Sequence, residues 1–318
     1  MSTATPPVTE AAEPVIRVIE PPKRWMPLNL GELWQYREMT LFLIFRELKI
    51  RYKQTVLGIF WAILQPFITM IVFSFVFGRI ARMPSDGIPY PLFSYVGLLP
   101  WNFFSSGLSK ASTSLNSNSS LIKKIYFPRL ILPVTAILSG LVDFFLGTVM
   151  LAILYIYFAA AVAPVSPLVV NHAIPFINSD LALNAFNHAV RNYEITANVV
   201  WLPLLLLLSF TVALSLSLWF AALNVRFRDV AVAIGFLVRI LLYLTPVIYP
   251  ISRLDGVFQV LAALNPMTGV IEGFRWALLG VDTAPGIYVL ISAAMSILLL
   301  IGGLYYFRRT ESTFADLI

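Results

Sequence analysis

The chain has 318 residues, 59% of them hydrophobic and only 12% charged, against about 45–50% apolar and about 25% charged in a soluble domain. That excludes an ordinary water-soluble globular protein, because so little charge cannot clothe a surface and the apolar excess must face lipid. The net charge of +6 is too small and too unevenly placed for a nucleic-acid binder and reads as a membrane-topology signal, while the absence of cysteine excludes disulfides and thiolate chemistry.

Residues 1–28 carry Glu10, Glu13, Glu20 and several prolines but no apolar run, so they read as a disordered cytosolic tail and not as a cleaved secretory signal. Residues 29–55 are neither tail nor span. Asn29 with Glu32 makes a capping-box pattern, and Leu41, Ile44, Phe45 and Leu48 recur at helical spacing among Arg46, Glu47, Lys49, Arg51 and Lys53. This predicts a basic amphipathic helix at the interface, serving either as a membrane-surface anchor or as a docking surface for a cytosolic partner.

Six stretches are apolar and long enough to span a bilayer. Gln54–Gly78, Gly87–Ser109, Ile195–Val225 and Thr283–Phe307 carry no charge, Leu130–Ala160 contains Asp143, and Val230–Tyr249 contains Arg239. With the N-terminus inside, sixteen Lys and Arg fall on the cytosolic side and five, Arg79, Arg82, Arg191, Arg253 and Arg275, on the outer side. Both termini are therefore expected in the cytosol. The predicted fold is an all-α membrane protein with six transmembrane helices in residues 56–308, an N-terminal interfacial helix, outer re-entrant helices and a cytosolic tail at 309–318.

The inner connection Leu115–Arg129 (LNSNSSLIKKIYFPR) is polar, then basic, then aromatic, and suits either a short lateral helix or a solvated turn. On the outer side, residues 164–198 include a Ser179-Asp180 cap before Leu183, Phe186, Val190 and Tyr193, which share a helical face. Residues 252–282 follow Tyr249-Pro250. There Asn265-Pro266 is a helix start, Val270, Ile271, Phe274 and Leu278 form a stripe, and Gly280 is a stop. Such an apolar segment with Glu272 and Arg275 predicts re-entrant helices acting as a gate, a plug or a packed cap.

The sequence holds no GxxxxGK[ST] loop, so the chain is not itself a P-loop ATPase, and it holds no HExxH or GxSxG; no metal site or resident cofactor is expected. Asp143 and Arg239 are charges within spans, at depths along their helices that permit a pair. Arg239 alternatively stands beside a passing anionic head group. Trp61, Phe67, Phe104, Trp219 and Tyr243 lie inside spans, where aromatic faces either pack or line a path for sugars.

The strings WAILQPFITMIVFSFVFGRI, PYPLFSYVGLLPWNFFSSGL, SLIKKIYFPRLILP, LVDF, ALNVRFRDV, PVIYP and LNPMTGVIEGFRWALLG, in this order across about 34–309, resemble the membrane subunit of ABC-2-type polysaccharide exporters, the O-antigen, capsule and teichoic-acid group. The resemblance implies a homodimer in the bacterial inner membrane, bound to two cytosolic ATP-binding subunits that hold ATP and Mg, exporting a lipid-linked polysaccharide. It implies that residues 29–55 and a coupling helix at 115–127 dock the ATPase, through Arg46, Lys49, Leu121, Ile122, Lys123, Lys124, Tyr126 and Phe127. It also implies outer gate helices at 252–280, with Tyr249, Pro250, Asn265, Pro266, Phe274 and Arg275. Arg51, Lys53 and Arg239 are then candidates for contact with the lipid diphosphate, and the span aromatics for the channel. The 164–198 insertion departs from the family pattern. A smaller lipid or drug as cargo, a membrane glycosyltransferase and an assembly scaffold are the alternative readings.

Overall fold

A computed structural model describes residues 30–53, 58–161, 197–227, 229–280 and 284–314. The expected tail, the Asn29 cap and almost all of the 164–198 insertion lie outside these. Every regular element among the described residues is helical. In chain order they are α1 (Leu30–Gln35), α2 (Arg37–Tyr52), α3 (Phe60–Phe73, continued by a π-helical turn at Ser74–Ile80), α4 (Tyr90–Ser117), α5 (Ser119–Lys124), α6 (Ile131–Leu138) and α7 (Gly140–Ala161). There follow α8 (Leu202–Arg226), α9 (Val230–Leu244), α10 (Val257–Leu264), α11 (Pro266–Leu279) and α12 (Gly286–Glu311).

The bundle is built around α4. Its 28 residues extend about 42 Å, and Leu92, Phe93, Tyr95, Val96, Leu98, Leu99 and Phe104 are essentially sealed from the outside. Helices α3, α6, α7, α8 and α11 pack around it, and α12 closes against α8 and α11. Small residues allow the close approaches. Ser209, Ala213, Ser215, Ser217, Ala221 and Ala222 form a buried face of α8, as expected where helices associate by packing without a hydrophobic drive. At Gly269 on α11, a Cβ would lie 2.3 Å from the Tyr288 carbonyl oxygen of α12.

Among the described residues, four stretches are long and apolar enough to cross a membrane: Phe60–Ile80, Ile131–Phe158, Ala197–Arg226 and Gly286–Glu311. The pair α10–α11, bent by 91° at Asn265, is a fifth if taken as one span. The multi-pass reading therefore stands, but Val230–Tyr249 is shorter than its apolar run. Thr245 precedes Pro246 and is extended (φ −90°, ψ 140°), which ends α9 after 15 residues. That is about 22 Å of helix, against a hydrocarbon core of about 30 Å. The expected helix at 115–127 is also divided: α4 runs on to Ser117, α5 has six residues, and Ile125 is extended ahead of Pro128.

Candidate functional site

At the end of the bundle that holds α2 and α5, a cavity of about 800 Å³ opens between α2, α3, α4 and α7. Its α4 wall is polar for a reason visible in the chain. Asn102, Ser105, Ser106, Ser109 and Lys110 recur at i, i+3, i+4, i+7 and i+8 and so share one face of the helix. Opposite them stand Trp61 and Gln65 of α3, and Phe103 and Phe144 add apolar walls. The mouth is ionic. Arg51 Nη1 donates to Asp143 Oδ2, Tyr52 OH donates to Asp143 Oδ1, and Arg51 Nη2 reaches Ser139 Oγ at 3.4 Å. Burial and the bond to Asp143 push the Tyr52 phenol up to about 12, so it remains a donor at working pH.

The permitted Asp143–Arg239 pair is therefore corrected: the partners of Asp143 come from α2, and Arg239 lies exposed on α9. The anchor at the end of α2 requires its C-terminal turn to pack against the polar start of α7, which helical periodicity along α2 alone does not reveal.

A second apolar cluster sits at the same end, formed by Leu43 of α2, Leu115 of α4, Ile122 of α5, Phe127, Val225 of α8, and Phe307 and Phe314 at the C-terminus. It clamps α5 to α2, and Arg46 adds a hydrogen bond from Nη2 to Asn118 Oδ1 beside the start of α5. Asn116 donates to the Asn224 carbonyl at 3.0 Å and Asn224 to that of Ser112 at 3.1 Å, locking α4 to α8. Outward from this clamp, Lys123, Lys124, Ile125 and Tyr126 are exposed, Tyr126 by 81%.

At the opposite end, Asn265 caps α11 by accepting from the Met267 N–H at 3.0 Å, and its amide donates to Thr245 Oγ1 at 2.8 Å, tying the bend to the end of α9. Arg275 is buried to 1% exposure. It donates to Glu272 at 2.9 Å and to the Val247 carbonyl at 2.7 Å, and lies 3.7 Å over the Phe93 ring. Tyr90 donates to the Ile248 carbonyl at 2.9 Å, so the 246–250 turn is held from both sides. Here a Cβ at Gly97 would lie 3.0 Å from Arg275 Nη2 and 3.3 Å from the Val247 carbonyl oxygen, so the glycine leaves room for the guanidinium.

Against known proteins, residues 39–279 match the family described as ABC-2 type transporter. The chain belongs to that family. It is a membrane component of a transporter. A Myxococcus xanthus relative named "O-antigen export system permease protein RfbA" is 28% identical over 291 residues, 90% of this chain and 98% of the relative. A Klebsiella pneumoniae protein of the same name is 24% identical over 297 residues, covering 92% and 98%. An Escherichia coli protein named "Polysialic acid transport protein KpsM" is 23% identical over 269 residues, covering 85% and 92%.

In this ABC-2 permease the predicted site residues separate into groups. Arg51 and Trp61 meet at the cavity. Lys53 and Lys49 are exposed at the end of α2, and Arg46 is turned toward Asn118. Of the residues assigned to ATPase coupling, Ile122 and Phe127 are buried in the clamp, Leu121 is half-buried, and Lys123, Lys124 and Tyr126 face outward. Phe104 is corrected as a channel residue: it is 1% exposed inside the core. Trp219 is half-buried, stacked on Tyr306 at 5.2 Å and donating to the Leu299 carbonyl at 3.0 Å. Phe67 is half-buried, and Trp61 and Tyr243 are exposed. Tyr249, Pro250, Asn265, Pro266, Phe274 and Arg275 all belong to the bent α10–α11 pair and the 246–250 turn packed on it, with Phe274 and Arg275 fully covered. Lys110 and the α4 polar stripe were missed, although their heptad-like spacing is legible in the sequence.

Proposed function

We propose that this chain is the transmembrane subunit of an ATP-driven exporter that moves a lipid-linked polysaccharide, an O-antigen or similar glycan, from the cytosol outward across the bacterial inner membrane. Two copies form the channel and two separate ATP-binding subunits, which hold ATP and Mg, supply hydrolysis. One observation carries the reading: relatives named for O-antigen export align over 98% of their own length. In this reading each subunit has six membrane-crossing segments, with α4 and the short α9 completing the set, and both termini in the cytosol. The apolar exposed faces of α3 and α9, which include Ile68, Ile71, Val232 and Phe236, meet the second copy or lipid. Trp61, Phe67 and Tyr243 remain as aromatic contacts for the glycan.

The exposed Lys123, Lys124 and Tyr126 dock the ATPase, and the clamp transmits its closure to α2 as a rigid-body shift. The diphosphate of the carrier lipid is drawn to the basic end, where Arg51, Lys53 and, on α9, Arg239 contact it. The bent α10–α11 assembly gates the outer exit.

Co-purification with the candidate ATP-binding protein, followed by reconstitution, tests this. The complex is expected to couple ATP hydrolysis to outward movement of lipid-linked glycan. A complex that assembles and hydrolyses ATP but moves no glycan removes the cargo assignment, and failure of any ATPase to bind removes the exporter reading.

A further inference from the structure

We propose that Glu311 and Phe314 are positioning residues that fasten the ATPase-facing stretch to α12, so that closure of the ATPase is carried along α12 to the bent α10–α11 pair; this rests on the ATP-driven exporter reading above and adds a route that bypasses α2. The stretch with Lys123, Lys124 and Tyr126 runs through the extended Ile125 to Pro128 and Arg129, just ahead of α6. There Glu311, the last residue of α12, reaches across. Its Oε1 accepts from the Arg129 N–H at 3.2 Å, and its Oε2 pairs with Arg308 Nη1, one turn back on α12, at 3.0 Å. Backbone donors at a helix start have no partner within the helix, and a carboxylate is favoured there. Side-chain exposures of 15% for Arg308 and 17% for Glu311 keep the pair largely out of water, where salt screens it less. Phe314 closes the same contact: it is 1% exposed, packs edge-on against Phe307 of α12 at 5.2 Å, and lies 5.9 Å below the Arg129 guanidinium.

The other end of α12 is fastened as well. Tyr288 OH accepts from the Gln259 amide of α10 at 3.0 Å, and Ser292 Oγ accepts from the Gly269 N–H of α11 at 3.0 Å. Between Ser292 and Glu311 the helix is continuous for about 28 Å. An unbroken helix tied to a mobile partner at one end and to a bent helix pair at the other passes a displacement on as a rigid element.

The test uses the full chain carrying Val257→Cys, a single thiol at a position 72% exposed on α10, in nanodiscs with the candidate ATP-binding protein. Melting temperature, affinity for that protein, and the rate of maleimide modification with and without ATP are measured. With Glu311 intact, ATP is expected to change the modification rate by about fivefold. Glu311→Leu is expected to abolish that change while the chain stays folded and keeps its affinity for the ATP-binding protein. Glu311→Gln, whose amide oxygen still accepts from the Arg129 N–H, restores most of it. An ATP effect that survives in Glu311→Leu, whether or not the melting temperature falls, overturns the proposal and leaves Glu311 a structural residue. Should that variant not fold, Glu311→Ser, too short to span to Arg129, decides by the same rates. Absence of any ATP effect at Val257→Cys with Glu311 intact, in a complex that forms, overturns the route along α12. Failure of the ATP-binding protein to bind at all removes the exporter reading and this inference with it, and the affinity alone tells that outcome apart.

Discussion

Arg275 shows how much a single side chain carries at the end of the bundle opposite α2 and α5. Its guanidinium serves Glu272 on its own helix, the Val247 carbonyl on the returning turn and the Phe93 ring on α4. A lysine keeps the charge but offers a point ammonium in place of a planar fork. Arg275→Lys is therefore expected to lower stability by about 2–4 kcal/mol, because a buried carbonyl and the Glu272 carboxylate lose partners; thermal unfolding in detergent measures it. Glu47 gives a pH prediction. Burial raises its pKa above 4.5 although Lys110, Arg51 and Arg46 pull it down. The folded state thus holds the proton more tightly than the unfolded one, and this group's contribution to stability falls as pH rises from the unfolded pKa through the folded one. Glu47→Gln should remove that slope and be neutral or stabilising at neutral pH, as melting curves at acid and neutral pH would register; a marked loss of stability at neutral pH contradicts it.

The elements were legible to different depths for identifiable physical reasons. Long apolar runs announce α3, α7, α8 and α12, because lipid demands them, and Asn265-Pro266 with Gly280 in the left-handed region (φ 61°) fixes both ends of α11. The loop helix α5 was legible only as a place. Its basic residues and the aromatics just after it were plain in LIKKIYF, but which of them face outward depends on the clamp, and the clamp is assembled from four separate stretches of the chain. This division makes a prediction. Tyr126→Ala and Lys123→Glu are expected to weaken ATPase stimulation while leaving folding unchanged, since both side chains are exposed. Ile122→Asp, by contrast, places a carboxylate in the cluster with Leu43, Leu115 and Phe127 and should lower thermal stability by several kcal/mol, about the cost of an unpaired buried charge. Separate effects on melting temperature and on stimulation distinguish the two classes. Equal destabilisation by all three variants would mean that the exposed face is itself part of the fold.

At the scale of the whole molecule, the apolar surface left uncovered is what a soluble protein would not tolerate. Some of it must meet lipid, and burial within one chain does not separate that part from the surface that would meet the second copy of the proposed dimer. The absence of cysteine from all 318 residues makes the distinction measurable, because any introduced thiol is the only one present. Phe236 on α9 is 66% exposed and Leu298 on α12 is 67% exposed, so fold burial treats them alike. Cross-linking separates them: if the exposed face of α9 meets the second copy and not lipid, Phe236→Cys is expected to form a disulfide-linked dimer in membranes under mild oxidation, whereas Leu298→Cys on α12 is expected to remain monomeric on a non-reducing gel. A disulfide requires Cα atoms within about 7 Å, so Val232→Cys, one helical turn away, serves as the neighbouring probe where Phe236 itself is out of register. Cross-linking through Leu298 but through neither α9 position would place α12 at the two-fold axis, and the channel would then have to be sought there instead of beside Trp61 and Tyr243.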